Sequence, residues 1–288
     1  MSPTIAVATL SCVAVACALV RLPRWLHPAW SARLLVVGAL AATLSVVASV
    51  GMVAAAFVLQ VAPHSTLHLP GASTVVGHAP VSTLTGATSM VVVAFMALNV
   101  SGHLRSIWRE RTSLSRGQQA ILSSPEPLAF SLPGRSGGVL LSRGLRAQLS
   151  RSELRVVIEH EASHLRHRHH RYLIVGNLCA GAVPFLRGVE RHISFAVERW
   201  ADEDAAQKTG DRRLVARTIA RVALEGTSSV VPAFSGSGVL DRVEAMLDDP
   251  PATSPVAGAT LLATTGVTTS AMTMPALQFH HWIGLLSS

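Results

Sequence analysis

The chain has 288 residues, 49% of them hydrophobic and 14% charged, with a formal net charge of +8. Its three cysteines, Cys12, Cys17 and Cys179, all sit in apolar runs, which argues against a disulfide framework. No basic stripe with interleaved aromatics is visible, so the excess of arginine does not read as a nucleic-acid surface.

Charge is unevenly spread along the chain. No Asp or Glu precedes Glu110 or follows Asp249, and no Lys or Arg lies between Arg33 and Arg105 or after Arg242. The two ends therefore read as membrane and the middle as protein in water. Crossing a hydrocarbon core of about 30 Å takes about 20 apolar residues, and four stretches qualify: 3–20, 34–62, 82–102 and 256–278. The first lacks the basic start of a secretory signal and reads as a retained anchor. Arg21, Arg24 and Arg33 place the first loop on the cytoplasmic side, and the uncharged loop at 63–80 lies outside. The domain expectation follows: three spans within 1–102, a cytoplasmic domain over 103–255, a fourth span, and a short outer tail at 279–288. This is a multi-pass protein of the cell membrane with the lipid bilayer as partner. The spans hold no ionisable side chains of the kind a transporter needs.

Within the domain, "GGVLLS" is short, apolar and bounded by glycines, a strand signal at Gly138, Val139, Leu140 and Leu141. It reads either as an edge that captures an extended peptide or as a buried hairpin strand. Next comes "LSRSELRVVIEHEASHLRHRHH". Ser150 with Glu153 forms a capping box and sets the start of a helix, and Leu154, Val157, Ile158 and Leu165 mark its inward face. His160 and His164 stand one turn apart on the border of that face, a spacing that lets two imidazoles take adjacent corners of a zinc tetrahedron. Glu161 is offset by one residue, so it is placed as general base rather than as ligand. His167, His169 and His170 read as an exposed His/Arg face.

Residues 172–186, "YLIVGNLCAGAVPFL", are apolar but short for a span and contain Pro184. A crossing here would separate the two halves of a site, so this segment is expected not to traverse. Downstream, "GVERHISFAVERWADEDAAQKTG" carries an apolar stripe at helical intervals and ends at Gly210. Glu198 lies beside the stripe as a third ligand. Asp202, one turn on, is placed to accept the free N–H of a ligand histidine. Glu203 and Asp204 read as a solvated acidic face, and "GVLDRVEAMLDDPP" as an amphipathic packing helix.

"HEASHLRHRHH" followed by "ERWADEDAA" resembles the membrane zinc metallopeptidases of the BlaR/MecR type, relatives of the HtpX-like and CAAX-prenyl endopeptidases. Glu198, Ala201, Asp202 and Ala205 match their Glu-x-x-Ala-Asp-x-x-Ala pattern. The resemblance implies a mainly α fold: a multi-span membrane protein with a gluzincin-like zinc metallopeptidase domain containing a small β-hairpin or sheet. It also implies one Zn2+, a protein or peptide substrate lying along the strand before the zinc helix, and a task such as cleavage of a transcriptional repressor. The competing readings are a membrane-protein quality-control protease and a zinc-binding sensor or scaffold without proteolytic activity.

Overall fold

A computed structural model describes residues 26–62, 81–116, 118–132, 138–225 and 238–251, with isolated positions before residue 21. Most of the expected first span, the loop at 63–80, the fourth span and the outer tail lie outside the described residues.

Two long helices come first, α1 (Pro28–Val61) and α2 (Thr83–Arg116). His27 caps α1 by accepting the Ala29 amide on Nδ1 at 3.2 Å, and Pro28 supplies a preset φ at the first helical position. The two helices pack against each other. At Gly86 a Cβ would run into the Phe57 ring, so glycine suits the close approach. Both are long and apolar enough to cross a membrane. They differ in what covers them. The first half of α1 lies in a core built from Ala29, Ala32, Leu35, Ala39 and Ala42, whereas α2 shows Val91, Phe95 and Leu98 at 69%, 50% and 68% exposure.

After the short helix α3 (Gln118–Ser123), β1 (Ala129–Leu132) and β2 (Gly138–Leu141) form an antiparallel hairpin with Ala129 opposite Leu141 and Leu132 opposite Gly138. Among the described residues neither strand pairs with a third. Ser142, fully buried, ties the hairpin to α4 (Arg143–Gln148): its Oγ accepts from the Leu128 and Leu145 amides at 2.9 and 3.1 Å and donates to the Glu126 carbonyl at 2.6 Å.

The helix carrying the histidines is α5 (Arg151–Arg166), and it begins with the expected capping box. The Ser150 amide donates to Glu153 Oε2 at 2.8 Å, and Arg221 clamps the same carboxylate from α8 (Arg212–Glu225). Arg168 then adopts φ 54°, ψ 44°, turning the chain sharply into α6 (His169–Ala182). A one-turn 3-10 segment at Pro184–Leu186 reverses it into α7 (Arg187–Thr209), which Gly210 ends in left-handed conformation. His169 stands beside Trp200, and Gly176 beside Glu190 and Ile193, so α6 and α7 form an antiparallel pair. The chain thus returns along itself, and Glu198 comes back to the end of the pair where His160 sits. Helix α9 (Val239–Leu247) closes the domain against α8.

Two apolar clusters hold these parts. One joins α1, α6 and α7 through Leu186, Val189, Ile193, Val197 and Trp200. The other joins the hairpin, α5, α7, α8 and α9 through Leu128, Leu145, Val157, Ala205, Ile219 and Met246. The site lies where α5 and α7 meet.

Candidate metal centre

One helical turn separates His160 from His164, so both rings leave the same side of α5 and their Nε2 atoms approach to 3.1 Å. Helix α7 brings Glu198 against them. Its Oε2 lies 3.5 Å from His160 Nε2 and its Oε1 3.6 Å from His164 Nε2. Zinc bonded to nitrogen and oxygen at about 2.0–2.2 Å in a tetrahedron requires donors roughly 3.3–3.5 Å apart. The separations lie within about 0.2 Å of that edge, the two to Glu198 being measured to different oxygens of its carboxylate, and these residues could hold a metal ion. The donor chemistry agrees: two imidazoles and a carboxylate, the donor set that zinc takes.

Behind the donors lies a chain of charged support. Asp202 is 1% exposed, and its Oδ1 accepts from His160 Nδ1 at 3.0 Å, which leaves Nε2 of that ring as the free donor atom. Arg242 of α9, 3% exposed, grips Asp202 with both arms of its guanidinium, Nε to Oδ2 at 2.7 Å and Nη2 to Oδ1 at 2.8 Å. Its Nη1 reaches Glu198 Oε2 at 3.2 Å. Burial alone would raise the carboxyls of Asp202 and Glu198, but the Arg242 charge and the histidines outweigh it and hold both below the ordinary range. Burial would lower His160, yet hydrogen bonds and charge from Asp202 and Glu198 carry it up to about 10. His164 has no carboxylate behind its ring, and burial takes it down to about 4.

Glu161 is 4% exposed, and burial raises its carboxyl, with the Glu198 charge adding to the rise. A hydrogen bond to the Ser131 side chain opposes it, so β1 supplies the strand contact to this glutamate. Gly138 to Leu141 form the partner strand β2 and are half-buried.

The five residues singled out from the motif spacing come together here: His160, Glu161, His164, Glu198 and Asp202. Two others were missed. Arg242 lies on the helix that the sequence marks only as an amphipathic packing element, although it shares a face with Ala245 and Met246, and a lone arginine on an apolar face is a sequence signal for a buried ion pair. His169 had been read as exposed and is 0% exposed. The acidic face was also misjudged. Glu203 is buried against Arg199 and Arg212, and Asp204 accepts from Ser163, Arg166 and His167 at 2.8–2.9 Å, tying α5 to α7. His192 of α7 is exposed, with its ring against the Gly188 carbonyl.

Among protein families, the Peptidase family M48 model matches residues 104–189. The match runs from within α2 to the start of α7. It includes His160, Glu161 and His164 and stops before Glu198, Asp202 and Arg242, which are brought to the site by the fold. It supports a peptidase of this family, whose members are zinc metallopeptidases. Neither the curated proteins nor the solved structures searched gave a match.

Proposed function

We propose, from the M48 peptidase match and the convergence of His160, His164 and Glu198, that this chain is an integral membrane zinc-dependent endopeptidase. The observation that carries the reading is the convergence of these three side chains, with donor atoms within 4.8 Å of one another and a base on the adjacent residue. His160, His164 and Glu198 would hold one zinc ion, which when bound would supply a Lewis acid for the scissile carbonyl. Glu161 takes a proton from the attacking water and delivers it to the leaving amine nitrogen. Asp202 orients His160, and Arg242 holds Asp202 and Glu198 in place. An extended substrate chain adds beside Gly138 to Leu141 of the hairpin.

Membrane placement belongs to the same reading. Residues 28–43 of α1 serve the domain core, and the crossing runs over about 44–61 of α1 and 83–102 of α2, each close to the length of a hydrocarbon core of about 30 Å. Leu44, Val58, Val61, Leu84, Val91 and Leu98 are exposed over these lengths. Arg33, Arg105 and Arg109 lie at the domain end, and basic residues beside a span support a cytoplasmic site. The substrate is a polypeptide reached from that side, either a regulator such as a transcriptional repressor or a membrane protein under quality control.

The purified chain and Glu161→Gln are incubated with a broad peptide library and read by mass spectrometry, with zinc content measured in both. Equal zinc and cleavage slowed about 10²–10⁴-fold in the variant is the expected result for loss of a general base. Equal cleavage by both proteins overturns the assignment of Glu161. A zinc-loaded parent that cleaves nothing favours a sensor or scaffold instead.

A further inference from the structure

Behind each metal-facing imidazole stands a different partner. For His160 it is Asp202. For His164 it is another histidine, which comes from beyond the end of the helix. Arg168 takes up a left-handed conformation, and that turn carries His169 back beneath α5, where it is fully buried. His169 Nδ1 lies 3.0 Å from His164 Nδ1, with the two rings edge to face and their centroids 4.8 Å apart.

The proton arrangement follows from the geometry. His164 directs Nε2 toward His160 and Glu198, so a lone pair offered there requires its proton on Nδ1. That proton points at His169 Nδ1, which must then accept, and the His169 proton is left on Nε2. His169 Nε2 is buried and has no hydrogen-bond partner among the described residues. It lies instead among aromatic rings, with Trp200 at 4.8 Å and Tyr172 at 6.4 Å between centroids. An N–H left without a partner, together with a strained residue at the preceding position, is a cost borne by the fold to put an acceptor at one point. A neutral acceptor suits this side of the site, because Glu161, Glu198 and Asp202 already crowd it with carboxylates.

We propose that His169 is the positioning residue of His164: its Nδ1 accepts the His164 Nδ1 proton and thereby fixes the ring rotation and the tautomer that presents Nε2 to the metal. The proposal rests on the metal-site reading above. It makes the two ligands chemically unequal, one backed by a charge and the other by a neutral ring.

The test compares His169→Asn with His169→Gln in the full-length chain in detergent. The Asn carbonyl can occupy the place of Nδ1, whereas the Gln carbonyl reaches the place of Nε2. Zinc affinity is measured by competition with a chromophoric chelator, and the visible spectrum of the cobalt-substituted protein reports ligand geometry. Expected are an affinity within about 3-fold of the parent for the Asn variant and about 10–100-fold weaker binding for the Gln variant, the usual range for loss of a ligand's orienting partner. The cobalt spectrum should be altered only in the latter. Equal affinities and spectra in both variants, whether near the parent or equally weakened, mean that the residue only fills space, and they overturn the proposal while leaving the metal site standing. A parent chain that takes up no zinc overturns both.

Discussion

Replacing Arg242 by Met keeps the length of the side chain and removes its charge. Asp202 then loses two hydrogen bonds of 2.7 and 2.8 Å, and Glu198 loses a cation 3.2 Å away. Asp202 is 1% exposed, so water cannot take over the lost interactions without opening the helix packing. Removing one partner of a buried pair costs about 3–5 kcal/mol, because the other charge stays buried. That is a large part of a typical total stability of about 5–15 kcal/mol. For a domain of this size each kcal/mol moves the melting temperature by about 2–4 °C, so Arg242→Met is expected to melt about 6–20 °C lower. The assay is thermal unfolding followed by tryptophan fluorescence in detergent, with metal removed by chelator so that ligand linkage does not add to the stability. Asp202→Asn in the Arg242→Met background should restore part of the loss, because it removes the orphaned charge, and the two single effects should fail to add by about 0.5–3 kcal/mol. A single variant that melts within about 2 °C of the parent would refute the claim that this ion pair holds the site together.

Asp202 also predicts an acid limit. Its carboxyl lies below the ordinary value of 3.8 in the folded chain, so its stabilisation is fully present above that value and is lost as pH falls through the lower folded value. Measured in a His160→Gln background, which removes the imidazole that Asp202 itself perturbs, the stability difference made by Asp202→Asn should be flat from neutral pH toward 3.8 and shrink only below it; shrinkage at near-neutral pH contradicts the assignment. Arg168 is exposed and left-handed, a conformation that costs an ordinary residue about 1–2 kcal/mol. Arg168→Gly should unfold at the same or slightly higher denaturant concentration, and Arg168→Val at a lower one; a clear loss on introducing glycine would show that the conformation is not strained. Deleting residues 1–62 strips α1 from Val189, Ile193, Val197 and Trp200, which are at most 4% exposed. At about 1.5–3 kcal/mol per buried side chain the loss is about 6–12 kcal/mol, comparable to the whole stability. The truncated chain should show no cooperative unfolding and bind no zinc, and a folded, zinc-binding fragment would refute this.

What was legible in the sequence is what local periodicity writes. Ser150 and Glu153 announced the start of α5, and the four-residue spacing of His160 and His164 and of Glu198 and Asp202 put each pair on one face of its helix. The hairpin strand at Gly138 to Leu141 was read from its bounding glycines. What was missed depends on turns and partners that no local pattern encodes. The run "HLRHRHH" has the composition of a wet surface, and a single left-handed residue at Arg168 buries His169 instead. The expected span at 34–62 followed from hydropathy alone. Hydropathy does not distinguish an alanine facing lipid from Ala39 or Ala42, which are buried in the cluster they share with α6 and α7. Likewise, an acidic run looks solvated until its partners are known, and the partners of Glu203 and Asp204 lie on other turns and helices.

The charges at the site give a reason for these elements to be assembled together. Glu161, Glu198 and Asp202 bring three carboxylates into one mostly buried cluster, and Arg242 supplies one permanent positive charge against them. Desolvated carboxylates are costly unless they are balanced, so the cluster calls for two more positive charges. Protons on His160 and Glu161 could supply them one at a time, and the raised pKa of each group shows how strongly the surroundings favour that. A divalent cation supplies both at once, at the point where Nε2 of His160, Nε2 of His164 and the Glu198 carboxylate converge. It also frees Glu161 to ionise, which a base must do before it can accept a proton. Arg242 is then part of the electrostatics of the site: with it the cation brings the cluster to neutrality, and without it the same cation leaves one buried negative charge unanswered.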